Sequence, residues 1–289
     1  MVVILLEILG FLLSALGARG RSLVAWSLAF VAFDLLHLRR KLVLRNLERA
    51  YGRDSSPVVR AQVGRAALAN FILTTLEFFS SRRVYPQQKV VFRNGEIFQN
   101  ALAQGRGVYL MVIHMGNFEL MADAILKQFA VPVHTPVKPV GKGALARWVK
   151  AQRAAHGLLE IANDGASSLS RTKRIFEGLE LKQCVGFVVD QRRSKGLLAP
   201  FFGEMAWTNA GLFYLWKQRP APIIPMTIKR VGENQHEVTV HEEFVVEQDS
   251  QWSHDQYLLE NTKRMNGLVE ILITANPQEY FWMHDRWKK

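Results

Sequence analysis

The stretch VYLMVIHMGNFELMADAILKQF, residues 108–129, decides the fold class. Residues 108–113 are a short apolar run bounded by Gly107 and His114, which reads as a buried strand. FELMADAILKQF follows at helical spacing. Outward from this strand-to-helix step the pattern repeats. VPVHTPVKP is β-rich but broken by prolines, and LARWVKAQRAAHG (145–157) is helical with Gly157 as its stop. LLEIA is a strand, and SLSRTKRIFEGLELK is a helix with Ser167 or Ser168 as its cap. VGFVVD is a strand, TNAGLFYLWKQ a helix, and APIIPMTIKRV a strand. HEVTVHEEFVV reads as a strand nearer an edge, and HDQYLLENTKRMNGLVEILITAN holds the last long helix.

Strands separated by helices predict an α/β fold with a mixed, largely parallel central sheet flanked by helices. No internal repeat, low-complexity stretch or Pro/Gly linker divides the chain. We expect one catalytic domain over residues 54–289, behind N-terminal hydrophobic and amphipathic membrane-associating helices over residues 1–53.

The charge balance narrows the partners. Lys and Arg total 37 against 25 Asp and Glu, a net charge of +12. Such an excess favours an anionic partner: nucleic acid, an anionic membrane surface, or an acidic or phosphorylated molecule. The basic residues are spread along the chain without a long run of like charge, and no nucleic-acid-binding signature appears, so nucleic acid is not expected. The one cysteine, Cys184, excludes an intrachain disulfide and a multi-cysteine metal site, and reads as a core residue.

MVVILLEILGFLLSALG (1–17) carries only Glu7 as a charge, and SLVAWSLAFVAFDLL is interrupted by Asp34. Each block is shorter than the ~20 residues a spanning helix needs. The arginines follow the first block rather than preceding it, unlike a secretory signal. The first block could span thinly, the pair could lie in the interface or form a re-entrant hairpin, or both could pack as core helices; the interfacial or single-anchor reading is preferred. HLRRKLVLRNLERAYGR (37–53) supports it: Val43, Leu44, Leu47 and Tyr51 share a stripe at helical spacing, although Arg40 falls on that stripe.

His114 follows the buried strand, Gly116 permits a tight turn, Asn117 is a candidate N-cap, and Glu119 falls in the first helical turn. On one helix, residues five apart sit about 140° apart. With His114 on the loop and Glu119 on the helix, the turn can bring the two together. An imidazole held by a carboxylate can take a proton from a hydroxyl. The alternative is a loop histidine beside a helix-start glutamate with no chemistry. HExxH is absent and no third ligand is evident, so no metal is expected.

HMGNFEL also resembles the H-x4-D/E motif of glycerolipid acyltransferases. The closer resemblance, within the lysophospholipid acyltransferase-like superfamily, is to the late acyltransferases of lipid A biosynthesis, where the segment reads like HxGNWE. Further matches run in order: Arg45-Asn46-Leu47 resembles an "NL" signature, RWVKAQRAAHG (147–157) the arginine-bearing helix, and DQRRSKGLLAPFFG (190–203) the DQ…PFFG segment, with Thr208 after it. Pro225 lies in the matching strand, and EYFWMHDRWK matches the family's ending. The resemblance covers roughly residues 40–288. Phe118 stands for the usual Trp, Arg193 is an additional arginine, the first Gly after DQ is Gly196, and Asn209-Ala210 replaces a Thr-rich run.

The resemblance implies a membrane-associated O-acyltransferase. It would move a fatty acyl chain from acyl carrier protein or coenzyme A to a hydroxyl of a lipid A precursor, at the cytoplasmic face of a bacterial inner membrane. A lysophospholipid or another glycolipid is the alternative acceptor, and hydrolysis the alternative reaction. No cofactor is implied, and we expect a monomer whose partners are membrane lipid and acyl carrier protein. His114 is the expected general base and Glu119 the group that orients it. Backbone N–H groups at Gly116 and Asn117, then Arg153 and secondarily Arg147, are the oxyanion candidates. Asp190 and Gln191 are expected to serve the site structurally or in acceptor binding. Pro200-Phe201-Phe202-Gly203 reads as a tight apolar turn, and Trp282, His284, Arg286 and Trp287 as residues that dock the final segment or touch headgroups.

Overall fold

The computed structural model describes residues 2–162 and 168–288. Its helices are α1 (Val2–Ala15), α2 (Gly17–Phe30, continued by a π-helical turn to Leu35), α3 (Arg40–Tyr51), α4 (Pro57–Phe79), the single turn α5 (Ser81–Val84), α6 (Gly95–Ala103), α7 (Met121–Phe129), α8 (Gly143–Ala155), α9 (Ser168–Glu180), α10 (Gly211–Gln218) and α11 (His254–Ala275). The strands are β1 (Lys89–Arg93), β2 (Val108–Val112), β3 (Val133–Val137), β4 (Leu158–Ala162), β5 (Cys184–Val188), β6 (Arg192–Phe201), β7 (Glu204–Thr208), β8 (Ile223–Gly232) and β9 (Gln235–Val240). The α/β class and the mostly parallel sheet expected from the alternation are what the chain forms.

The seven-stranded sheet has the order β1-β9-β8-β2-β5-β3-β4. Strands β8, β2, β5, β3 and β4 are mutually parallel, whereas β9 runs antiparallel to β8 and carries β1 parallel to itself. Strand β2 is central and buried on both faces. Tyr109, Met111 and Ile113 enter one apolar layer, and Val108 and Leu110 the other. Each such side chain withdrawn from water contributes roughly 1.5–3 kcal/mol, which is why this strand reads as an unbroken apolar run.

Three local readings are sharpened. HEVTVH lies near an edge as expected, one strand in from it, because β1, a five-residue segment with a charge at each end, covers it. Pro136 is accommodated within β3 because that strand bonds to β5 only at Val133 and His134; beyond them no N–H is needed on that side. The DQ…PFFG segment is an antiparallel hairpin, β6–β7, turning at Phe202 and Gly203 with positive φ at both. Phe201 is buried against Trp287, so this turn is part of the core. Ser168, one of the two expected caps, is instead the first residue inside α9, and Ser167 lies outside the described residues.

The first four helices form one packed cluster. A Cβ on Gly10 would stand 2.5 Å from the Phe79 carbonyl, so α1 lies directly on the end of α4. Asp34, which interrupts the second apolar block, is matched by two arginines. Arg65 of α4 meets both its oxygens at 2.5 and 2.9 Å, and Arg40 approaches at 2.8 Å. Arg65 and Arg40 hold the Asp34 carboxyl below the usual carboxylate range. Part of the α3 stripe expected to face lipid is instead turned inward, while Tyr51 stays exposed. Val43 and Leu47 are wholly buried, and the Asn46 amide donates to the carbonyls of Trp282 and His284 at 3.0 and 2.9 Å. The core takes this stripe because it sits beside a polar side chain with defined backbone acceptors, which a bilayer would not supply.

Candidate active site

Register builds the site. In the parallel β2–β5 pair, Val112 lies opposite Val188. Two residues further on, both strands have ended, and His114 meets Asp190 at the carboxyl edge of the sheet. The His114 ring Nδ1 stands 3.0 and 3.3 Å from the two Asp190 oxygens, and the His114 backbone N–H also donates to Asp190 at 3.3 Å. A buried carboxylate on Nδ1 fixes the tautomer with that proton in place, which leaves Nε2 as the base. The Gln191 amide nitrogen stands 3.3 Å from Nε2. Phe118 packs its ring edge-on against the imidazole at 4.9 Å.

Glu119 does not make the hydrogen bond to His114 expected from the motif. Its carboxylate is bound by Arg153 through Nε at 3.1 Å and a terminal nitrogen at 2.5 Å. The other terminal nitrogen of Arg153 reaches Glu160 at 2.8 Å. The physical reason is the turn after Asn117, a 3-10 segment over Phe118–Leu120 that directs Glu119 toward α8 rather than back to the loop. Glu119 still lines the same cleft as His114 and acts on it through charge. Burial lowers the His114 pKa, but the Asp190 charge and hydrogen bond, with the Glu119 charge behind them, outweigh it, so the imidazole is raised above 6.5. Burial raises the Asp190 carboxyl, and His114 more than offsets that, so Asp190 stays ionised.

The loop itself is held from behind by a polar knot. Gly116 has φ +57°, and a Cβ there would lie 2.0 Å from the Ile228 carbonyl oxygen, so only glycine fits. Its carbonyl accepts from Asn70 at 3.2 Å and Thr74 at 3.1 Å, one turn apart on α4. Its N–H donates to the Glu279 carbonyl at 3.0 Å, so this donor is not free for an oxyanion. Asn117 is not an N-cap through its side chain. That side chain is buried and donates to Glu77 at 2.8 Å, and Glu77 in turn is paired with Arg230 at 2.7 and 3.1 Å. Arg230 also reaches Asn70 and Thr74.

The final segment closes the front of the loop. Phe281 donates its N–H to the His114 carbonyl at 3.0 Å, and the pKa of the buried Tyr280 hydroxyl is raised by burial and by the Asp190 charge. Trp282, Arg286 and Trp287 are buried, and Arg286 donates to the Trp207 carbonyl and the Thr208 hydroxyl, both at 2.7 Å. His284 accepts from the Arg192 N–H at 2.9 Å. Docking, not exposure to headgroups, is the role these residues take.

Beside His114, Glu119 and Arg153 opens a cleft with about 720 Å³ of empty space, its mouth included. Its walls are apolar, among them Leu110, Met121, Ile125, Val133 and Val188. Arg147 is exposed on α8 and does not line it. Cys184 is buried and its thiol is pushed up by burial, as a core residue should be. Five further histidines have partners that linear reading does not show: His134 with Gln183, His156 with Asp123, His236 with Gln88, His241 with Thr227, and His254 between the rings of Tyr214 and Tyr257.

The sequence pattern described as bacterial lipid A biosynthesis acyltransferase matches residues 1–289. The chain belongs to that family. No curated protein matches it in sequence. The acyltransferase thus carries its H-x4-E motif at the edge of an apolar cleft, with Asp190 as the direct partner of His114.

Proposed function

We propose that this acyltransferase moves a fatty acyl chain from a thioester, on acyl carrier protein or coenzyme A, to a hydroxyl of a lipid A precursor. The observation that carries the proposal is the His114–Asp190 pair at the polar mouth of an apolar cleft. His114 Nε2 takes the proton of the acceptor hydroxyl as the oxygen attacks the thioester carbonyl. Asp190 holds the tautomer and stabilises the imidazolium that forms. The Gln191 amide, close to Nε2, supplies a donor where the hydroxyl and carbonyl must meet. As the tetrahedral intermediate collapses, the proton on Nε2 passes to the departing thiolate. Glu119 is the second carboxylate of the site. Clamped by Arg153, it adds negative potential that favours the protonated imidazole. The apolar cleft walls suit the acyl chain.

The N-terminal helices support action at a membrane surface. Among the described residues no single helix is long and apolar enough to cross a membrane, and α1 and α2 are bent by 108° relative to each other. Ile4, Leu5, Phe11 and Leu12 on α1 are all more than half exposed, a patch suited to burial in the headgroup boundary. The net charge of +12 suits both anionic lipid and an acidic carrier protein. In this reading the enzyme works at the cytoplasmic face of a bacterial inner membrane, where thioester donors are made.

The test supplies acyl carrier protein thioester and coenzyme A thioester to the purified protein, with and without lipid A precursor in mixed micelles. Mass spectrometry should show acylated acceptor from at least one donor. Thioester consumption that is equal without acceptor would identify a hydrolase instead.

A further inference from the structure

Both nitrogens of the His114 ring face one short turn. Asp190 lies at Nδ1 and the Gln191 amide at Nε2, and the two residues sit between the end of β5 and the start of β6. On the β5 side a sheet bond runs into this turn from the Val189 N–H to the Val112 carbonyl at 3.1 Å. On the β6 side the ladder is irregular: Arg192 lies opposite Thr208, and the register shifts before Leu197. The bond that fixes this end comes from the final segment of the chain. The Arg192 N–H donates to Nε2 of His284 at 2.9 Å.

His284 is itself held in place. Its carbonyl accepts from the Asn46 amide at 2.9 Å and from the Arg286 N–H at 3.0 Å. Three residues earlier, Phe281 donates to the His114 carbonyl, so one short segment touches both loops of the site. An imidazole that accepts at Nε2 carries its proton on Nδ1. A second proton would set N–H against N–H and break the bond to Arg192. The charged and titratable groups around His284 are Asp190, His114 and Arg192 at the sheet edge, Arg45 on α3, and Asp285 and Arg286 beside it. Burial lowers its pKa below 6.5, and the His114 and Arg286 charges add to that, against the raising influence of Asp190 and Asp285. During transfer His114 becomes positively charged, which disfavours a second charge on His284. The bond to Arg192 is therefore kept at the moment the turn is needed.

We propose that His284 is a positioning residue for acyl transfer: by accepting the Arg192 N–H at Nε2, it holds the turn that sets Asp190 and Gln191 against the two nitrogens of His114. This rests on the acyl-transfer reading above. His284 touches neither donor nor acceptor in this role and acts through its hold on the turn.

Two amide variants differ only in reach. In His284→Gln the side-chain oxygen reaches the position of Nε2 and accepts the Arg192 N–H at any pH. In His284→Asn, one methylene shorter, it falls short. Steady-state transfer by the full-length protein in detergent, with circular dichroism to confirm the fold, compares both with the native enzyme. His284→Asn should lower kcat by about 10–100-fold, the scale of a small misplacement of catalytic groups. Its thioester KM should stay within about threefold, since His284 does not line the apolar cleft. His284→Gln should keep kcat within about threefold of native. Below pH 6.5 its rate should also fall less steeply than the native rate, because one of the two titrating imidazoles is gone. A His284→Asn kcat within about twofold of native, a His284→Gln variant no better than His284→Asn, or parallel acid limbs would overturn the proposal. Absence of transfer by the native enzyme with either donor would instead sink the acyl-transfer reading. Hydrogen exchange at Arg192 then decides the positioning role separately: it should be slow in the native chain and in His284→Gln and fast in His284→Asn, and equal exchange in all three would overturn it.

Discussion

Asp190→Asn should disable the enzyme almost without changing its shape. Asp190 is 2% exposed and contacts His114 through three hydrogen-bonding distances, 3.0, 3.3 and 3.3 Å. Asparagine has the same outline, but its amide N–H₂ can face Nδ1 and leave the imidazole proton on Nε2. Nε2 then cannot accept a proton from the hydroxyl. In a serine-protease triad the same exchange lowers turnover about 10⁴-fold. Here a fall of about 10³–10⁴ corresponds to roughly 4–5.5 kcal/mol of transition-state stabilisation. The variant also removes the largest influence that raises the His114 pKa. The residual pH–rate profile should therefore move to lower pH as burial takes over. Steady-state transfer from pH 5 to 9, with circular dichroism to confirm the fold, tests both. Activity within tenfold of the native enzyme and an unshifted profile would refute Asp190 as the partner of the base.

Glu119→Gln should lower turnover less, by about 10–100-fold, and also shift the pH–rate profile downward, because His114 keeps Asp190 but loses a charge that favours its protonated form; single-turnover kinetics alongside Asp190→Asn would rank the two carboxylates. The raised His114 pKa also gives opposed pH trends. Its contribution to stability is fully present below 6.5 and is lost as pH rises through the folded pKa, whereas the neutral base gains activity over that same rise. Melting temperature and rate measured upward from pH 6 should move in opposite directions, and Asp190→Asn should flatten this contribution to the melting trend. Glu77→Ala leaves the half-buried Arg230 without its carboxylate and should cost up to about 3 kcal/mol in urea unfolding. Gly116→Ala should cost more than about 3 kcal/mol, since it combines positive φ with a backbone clash at Ile228, and differential scanning fluorimetry would register it directly.

The sequence by itself determined the strand-loop-helix unit at 108–129, the alternation of main-sheet strands and helices after it, and the presence of a base at the end of a buried strand. Each is local: an apolar run, a 3.6-residue period, a glycine turn and an ordered set of motif residues are readable without knowing what lies opposite. Only the tertiary structure decided which carboxylate serves His114. Glu119 is nearest in sequence, but its 3-10 turn sends it to Arg153, while β5 pairs beside β2 in a register that delivers Asp190 from 76 residues away. The same holds for the knot behind the loop. Asn70, Thr74 and Glu77 share one face of α4, yet nothing local says that this face meets Gly116, Asn117 and Arg230. Strand neighbours and helix-face partners depend on the order of strands in the sheet, which apolar periodicity does not encode. HMGNFE therefore announced a base and a nearby acid, and parallel pairing chose Asp190 as the acid that holds it.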